Sequence, residues 1–202
     1  MFPCRYRQAA AVVLTLVTGL MLLPEKGISA DASIPEAVTL HVGKFSDGKL
    51  DGWKGKSFDG KTVYTLVTDS AAEQRGKILR ASSHNTASGL VRELRIDLER
   101  TPWIHWSWKT EQLFSNLNEN EKSGDDFVAR LYVIIDGGIF FWNSRTLNYV
   151  WSSSHQTGET WPNPYTSNAT MLAVESGSAR LGQWLRWTPL VGQFGWPFKV
   201  YS

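Results

Sequence analysis

Phe127-Val128-Ala129-Arg130-Leu131-Tyr132-Val133-Ile134-Ile135 is the stretch whose reading decides the fold. Successive side chains of a β-strand point to opposite sides. Phe127, Ala129, Leu131, Val133 and Ile135 therefore make one apolar face, and Asp126, Val128, Arg130, Tyr132 and Ile134 make a mixed one. Two such different faces suit a sheet with its core on one side and a second surface on the other. Upstream, Trp103–Thr110 alternates in the same way, with Ile104, Trp106 and Trp108 on one side and Trp103, His105, Ser107 and Lys109 on the other. Further runs at Thr39–Val42, Thr62–Val67, Ile78–Ser83, Gly89–Asp97, Leu147–Ser153 and Thr170–Glu175 are rich in Val, Ile, Leu and aromatic residues. Asp47-Gly48, Asp51-Gly52 and Asp59-Gly60 mark turns. Short strands separated by such turns predict an all-β sandwich or barrel. Glu111 to Asp126 is polar and joins two strong strands, and long ordered loops of that kind often carry function. Ser70 to Lys77 reads as a loop.

The first thirty residues have a different character. Arg5 and Arg7 precede the uncharged apolar stretch Ala9–Leu23, Pro24-Glu25-Lys26-Gly27 breaks it, and small residues follow at Ala30 and Ala32. That order predicts a secretory signal peptide over residues 1–30, cleaved near Ala30 or Ala32. The apolar stretch falls short of the roughly 20 residues a spanning helix needs, so no membrane span is expected after cleavage. The leader holds three of the 21 basic and one of the 19 acidic residues, which leaves 18 of each and no net charge in residues 31–202. A neutral domain has no electrostatic reason to seek nucleic acid, where phosphate contacts dominate affinity. The single cysteine, Cys4, lies in the leader. Residues 31–202 must therefore fold as one domain without a disulfide or a cysteine metal site. A periplasmic or secreted location follows from the leader.

Ten tryptophans follow the leader. Indole either fills a core or stacks on a ligand ring. Trp106 and Trp108 read as core, whereas Trp142, Trp151 and Trp161, near loops of Asn and Ser, are the expected exposed rings. Asp125 and Asp126 stand together at the mouth of a strand. Neighbouring strand residues point apart, so the two do not converge as an acid/base pair would. Asp126 and Arg130 fall on the same face, about 13 Å apart along the strand. Adjacent aspartates before a strand are also able to ligate calcium, the only cofactor the sequence leaves open. The histidines, His41, His84, His105 and His155, form no zinc-ligand pair. Neither a nucleophile elbow nor a phosphate loop is present.

A set of segments then resembles a known family. In order they are Trp53-Lys54-Gly55-Lys56-Ser57-Phe58 with Thr62-Val63-Tyr64; Ala81-Ser82-Ser83 with Ala87-Ser88-Gly89-Leu90; Trp106-Ser107-Trp108-Lys109; Asp125 through Val133; and Leu147-Asn148-Tyr149-Val150-Trp151. Together, from about Phe45 to Trp184, they resemble the bacterial domain-of-unknown-function family 3047 (DUF3047). The resemblance implies an exported β-sandwich of jelly-roll type, similar to galactose-binding-like and carbohydrate-binding modules, and no established activity. Leu185 to Ser202, with Arg186, Lys199 and no acidic residue, departs from the family's usual continuation. The expectation there is a truncated or frame-shifted end and a sandwich short of its last strands.

The leading functional expectation is a non-catalytic binding module of the cell envelope with a saccharide ligand. Its binding set would be Asp125, Asp126, Arg130, Tyr132, Asn148, Tyr149 and Trp151. Two other classes stay open. A glycan hydrolase would use Asp125 or Asp126 with a second carboxylate from Glu93, Asp97 or Asp136, some 5–9 Å away. A structural or assembly protein of the envelope would pair an exposed sheet with a partner.

Overall fold

A computed structural model of the chain describes residues 38–69, 76–137 and 144–191. The expected leader and Trp142 lie outside them. The described chain is all β, with strands β1 (Lys54–Asp59), β2 (Val63–Thr68), β3 (Lys77–Ser82), β4 (Ala87–Val91), β5 (Trp106–Trp108), β6 (Arg130–Ile135), β7 (Arg145–Ser152), β8 (Thr160–Asn163), β9 (Thr166–Ser176) and β10 (Leu185–Trp187). Three antiparallel two-stranded ribbons form, β1–β4, β2–β3 and β5–β10, beside a four-stranded sheet of order β6-β7-β9-β8. In that sheet β7 and β9 run parallel and the two outer pairs run antiparallel.

The core lies on one face of the four-stranded sheet. Leu147 and Tyr149 of β7 and Leu172 and Val174 of β9 are buried there, and Leu131 and Val133 of β6 join them. The β5–β10 ribbon covers this face with Trp106, Trp108 and Trp187, together with Ile104 just before it. The rings interlock: Trp106 lies 5.1 Å from Tyr149 and 5.5 Å from Trp108, edge to face. Trp151 packs 6.4 Å from Trp108. Each fully buried large apolar side chain contributes about 1.5–3 kcal/mol. This layer accounts for why a chain without disulfides holds together here. The opposite face carries a second, smaller cluster of Val150, Trp161, Met171 and Ala173, with Phe127 against it.

Several expectations are corrected. Thr39–Val42 is not a strand; the Val42 carbonyl instead accepts a 2.6 Å hydrogen bond from the Arg92 guanidinium. The run Gly89–Asp97 pairs only as far as Val91, and Trp103–Thr110 narrows to Trp106–Trp108. Strands β1 and β8 were not expected. Every residue of β1 is exposed, so it has no apolar alternation to betray it. β8 contains Pro162, which lacks a ladder donor and is tolerated because β8 is an edge strand. Within the expected tail, Leu185–Trp187 pairs with β5, and Val191 is buried with its amide donating to the Pro102 carbonyl at 2.8 Å. Residues 192–202 lie outside the described residues.

Candidate functional site

Strand β6 starts at Arg130, three residues later than its apolar run suggests. From Arg130 onward the expected alternation holds: Leu131 and Val133 face the core, while Tyr132 (45% exposed) and Ile134 (59%) face outward. Before Arg130 the chain is not a strand, and the parity count fails. Phe127, expected on the core side, packs on the outer cluster 6.4 Å from Trp161. For the same reason it is Asp125, not Asp126, that meets Arg130, at 3.1 Å. Asp126 is exposed.

The loop before β6 is what places Asp125. Glu119, only 1% exposed, accepts hydrogen bonds from the Ser152 hydroxyl and from the Ser153 amide and hydroxyl, the latter two at 2.6 Å. This anchors the middle of the loop to the end of β7. A 3₁₀ turn at Lys122–Gly124 follows, and the Asn118 carbonyl accepts from the Glu121 amide at 2.9 Å. The turn closes so tightly that a Cβ on Gly124 would lie 2.2 Å from the Asn118 carbonyl oxygen. Only glycine fits there. Glu119 was not among the expected site residues; one acid in a polar loop carries no sequence signal for burial, and the two serines that receive it, Ser152 and Ser153, are distant in the chain.

Asp125, Arg130, Asn148, Asn163 and Met171 form one network that crosses all four strands of the sheet. The Arg130 Nε donates to the Asn148 side-chain carbonyl at 3.2 Å, and Arg130 also reaches the Met171 sulfur at 3.6 Å. The Asn148 amide donates in turn to the Thr170 carbonyl at 3.3 Å. The Asn163 amide donates to both Asp125 oxygens at 3.2 Å. The Arg130 guanidinium lies between two rings, 5.3 Å from Phe127 and 4.6 Å from Tyr132, within cation–π range. Partial burial pushes the Tyr132 phenol above its usual pKa of 10.0, against the pull of Arg130 and with a smaller push from Asp125. At neutral pH it therefore stays a hydroxyl able to donate. Tyr165, 62% exposed, flanks the same site; its amide donates to the Asn163 side-chain carbonyl at 3.0 Å and its hydroxyl to the Lys122 carbonyl at 3.1 Å. Neither Tyr165 nor Asn163 carries a pattern in the sequence that singles it out.

Not every expected site residue is reachable. Asn148 is fully buried and acts by holding Arg130. Tyr149 lies in the core on the opposite face, where burial raises its phenol pKa to about 12. Trp151 is buried too, and its indole N–H donates to the Gly177 carbonyl at 2.9 Å. Trp161, the other expected exposed ring within the described residues, is buried with the His155 imidazole stacked on it at 3.8 Å. Among the described residues no group of three or more His, Cys, Asp and Glu converges as a metal ion would require. No helix of the described residues is long and apolar enough to cross a membrane. Two open clefts lie elsewhere, one along β1–β4 and one between β8–β9 and β10.

The fold and site thus define an all-β protein with a tryptophan-lined core on one sheet face and an arginine-centred polar network on the other. The chain belongs to the family described as protein of unknown function (DUF3047), whose model matches residues 51–192. The match runs past Trp184 through β10, further than the resemblance suggested. No curated protein and no solved structure matches the chain significantly.

Proposed function

We propose that the chain is an exported, non-catalytic binding module of the cell envelope, built as a jelly-roll-type sandwich. Its ligand is a saccharide, received on the outward face of the four-stranded sheet. The observation that carries this reading is the Arg130 guanidinium, fixed by Asp125 and Asn148 and overlaid by the exposed Tyr132 ring. A sugar needs a ring to lie on and rigid polar groups around it, and rigid groups lose little entropy on binding. Tyr132 and Tyr165 supply the rings, while the exposed Asp126 carboxylate supplies hydrogen bonds beside the Arg130 charge. The engagement of both Asp125 oxygens supports binding over catalysis, since an acid/base carboxylate must be free to reach substrate. The test is tryptophan fluorescence of residues 31–202 titrated with soluble peptidoglycan fragments and other envelope oligosaccharides, with and without calcium. Trp161 reports on the site through Phe127. A saturable shift lost in Tyr132→Ala supports the reading; no shift from a folded sample removes it.

A second reading, an assembly protein, draws on β6 being an edge strand that exposes Tyr132 and Ile134 side by side on one face. Concentration-dependent self-association abolished by Ile134→Lys would favour it.

A further inference from the structure

The neutral net charge of the chain after its leader hides an uneven distribution. Residues 38–96 carry ten Lys and Arg against six Asp and Glu, while residues 97–202 carry eight against ten. The excess of cations belongs to the half that forms β1 to β4. On the β1–β4 ribbon it meets a cleft of about 350 Å³ lined by Gly52, Lys54, Gly55, Lys56, Val91 and Glu93.

Register explains what the cleft is built from. Lys54 stands opposite Val91, and Lys56 stands opposite Gly89. Directly opposed residues share a face, so the two lysines project to one side with Val91 and a bare stretch of backbone between them. A Cβ on Gly89 would touch nothing within 4 Å, which leaves open floor beside Lys56. Neither lysine is ion-paired among the described residues, although both line a concave surface. Arg92 flanks the cleft close to Gly52, and Glu93 supplies the only carboxylate in its wall.

We propose that this cleft is a second binding site, independent of the Arg130 face, for an acidic saccharide: a ring bearing a carboxylate. The two ammonium groups take the carboxylate, the glycine floor and Val91 take the ring face, and Glu93 accepts from ring hydroxyls. A phosphate chain suits the site less well, because it has no apolar ring face for Val91 and no ring hydroxyls for Glu93 to accept from.

The test is binding of polygalacturonate to residues 31–202 at about 150 mM salt, where long-range attraction is largely screened, followed by calorimetry or affinity electrophoresis. Neutral dextran, inorganic phosphate, a short oligonucleotide and anionic lipid vesicles are run in parallel. Lys54→Gln/Lys56→Gln is expected to weaken polygalacturonate binding at least about tenfold, as loss of charge-assisted hydrogen bonds requires. Lys44→Gln/Lys61→Gln removes the same charge from the same half and is expected to leave binding within about twofold of wild type, as the exposed-charge effect alone allows. Gly89→Leu keeps every charge, starts from a Cβ position with no atom within 4 Å and fills the floor beside Lys56, so it too should abolish binding. Four results overturn the proposal: no binding of polygalacturonate, equal loss in both lysine pairs, full binding by Gly89→Leu, or tighter binding of phosphate, oligonucleotide or vesicles through the same lysines. Tyr132→Ala has no place in this test, so its outcome and that of the proposed saccharide face are separable.

Discussion

Asp125→Ala removes the carboxylate that holds Arg130 and Asn163 in one network. The Asp125 and Arg130 side chains are only 8% and 14% exposed. Deleting one partner of so buried a pair leaves the other charge uncompensated, at a cost of about 3–5 kcal/mol. Arg130 keeps its bond to the Asn148 carbonyl and its two flanking rings, which places the expected cost at the lower end, about 3 kcal/mol. With a urea slope of about 2 kcal/mol/M, the unfolding midpoint should fall by about 1.5 M. The companion Asp125→Ala/Arg130→Met replaces the pair by apolar groups and should recover most of that loss. Equilibrium urea unfolding followed by tryptophan fluorescence measures all three proteins. A single-variant loss below about 1 kcal/mol, or a double variant no better than the single, would refute the view that this ion pair organises the outer face.

Three further outcomes follow from other parts of the fold. Tyr149→Phe removes a buried hydroxyl without a hydrogen-bond partner among the described residues, and should leave stability unchanged or raise it by about 1 kcal/mol in thermal or urea unfolding. Because burial raises the folded phenol to about 12, above the usual 10.0, the group leaves stability unchanged below pH 10 and lowers it as pH rises toward 12, a loss this variant should lack; absorbance at 295 nm should lose one high-pH tyrosine in this variant. The Glu159 carboxyl, bonded to the His155 ring at 2.9 Å and to the Gln156 amide, is held below its usual 4.5. Its contribution is therefore complete above pH 4.5 and is lost as pH falls further, and a stability-versus-pH curve of Glu159→Gln should lack that acid component. Gly124→Ala drives a methyl group into the Asn118 carbonyl, so the loop must open; amide exchange at Ser153, which donates to Glu119, should speed up with it.

How much of this was legible in the chain depends on whether a feature is set by local alternation. The two faces of Arg130–Ile135 and the inward Trp106 and Trp108 could be read because period-2 patterning is a property of the strand itself. Asp125 could not be told from Asp126, because counting faces backward assumes a strand where residues 125–129 are in fact irregular, with a bend at Val128 and Ala129. Trp151 and Trp161 looked exposed from their Ser- and Asn-rich neighbours. Ser152 and Asn163, however, are themselves buried and spend their polar groups on Glu119 and Asp125. Polar neighbours signal solvent only when their hydrogen bonds go to water. β10 was hidden in a tail whose composition looked foreign, yet three residues suffice to complete a ribbon against β5.

Chemical-shift mapping of amide resonances during addition of soluble peptidoglycan fragments tests the central proposal most directly, because it reports where a saccharide sits as well as whether it binds. Saturable shifts are expected to cluster at Tyr132, Asp126, Lys122 and Tyr165, with the buried Tyr149 and Trp151 amides unmoved. Shifts confined to other surfaces, or none across the envelope glycans in a well-folded sample, would contradict that proposal.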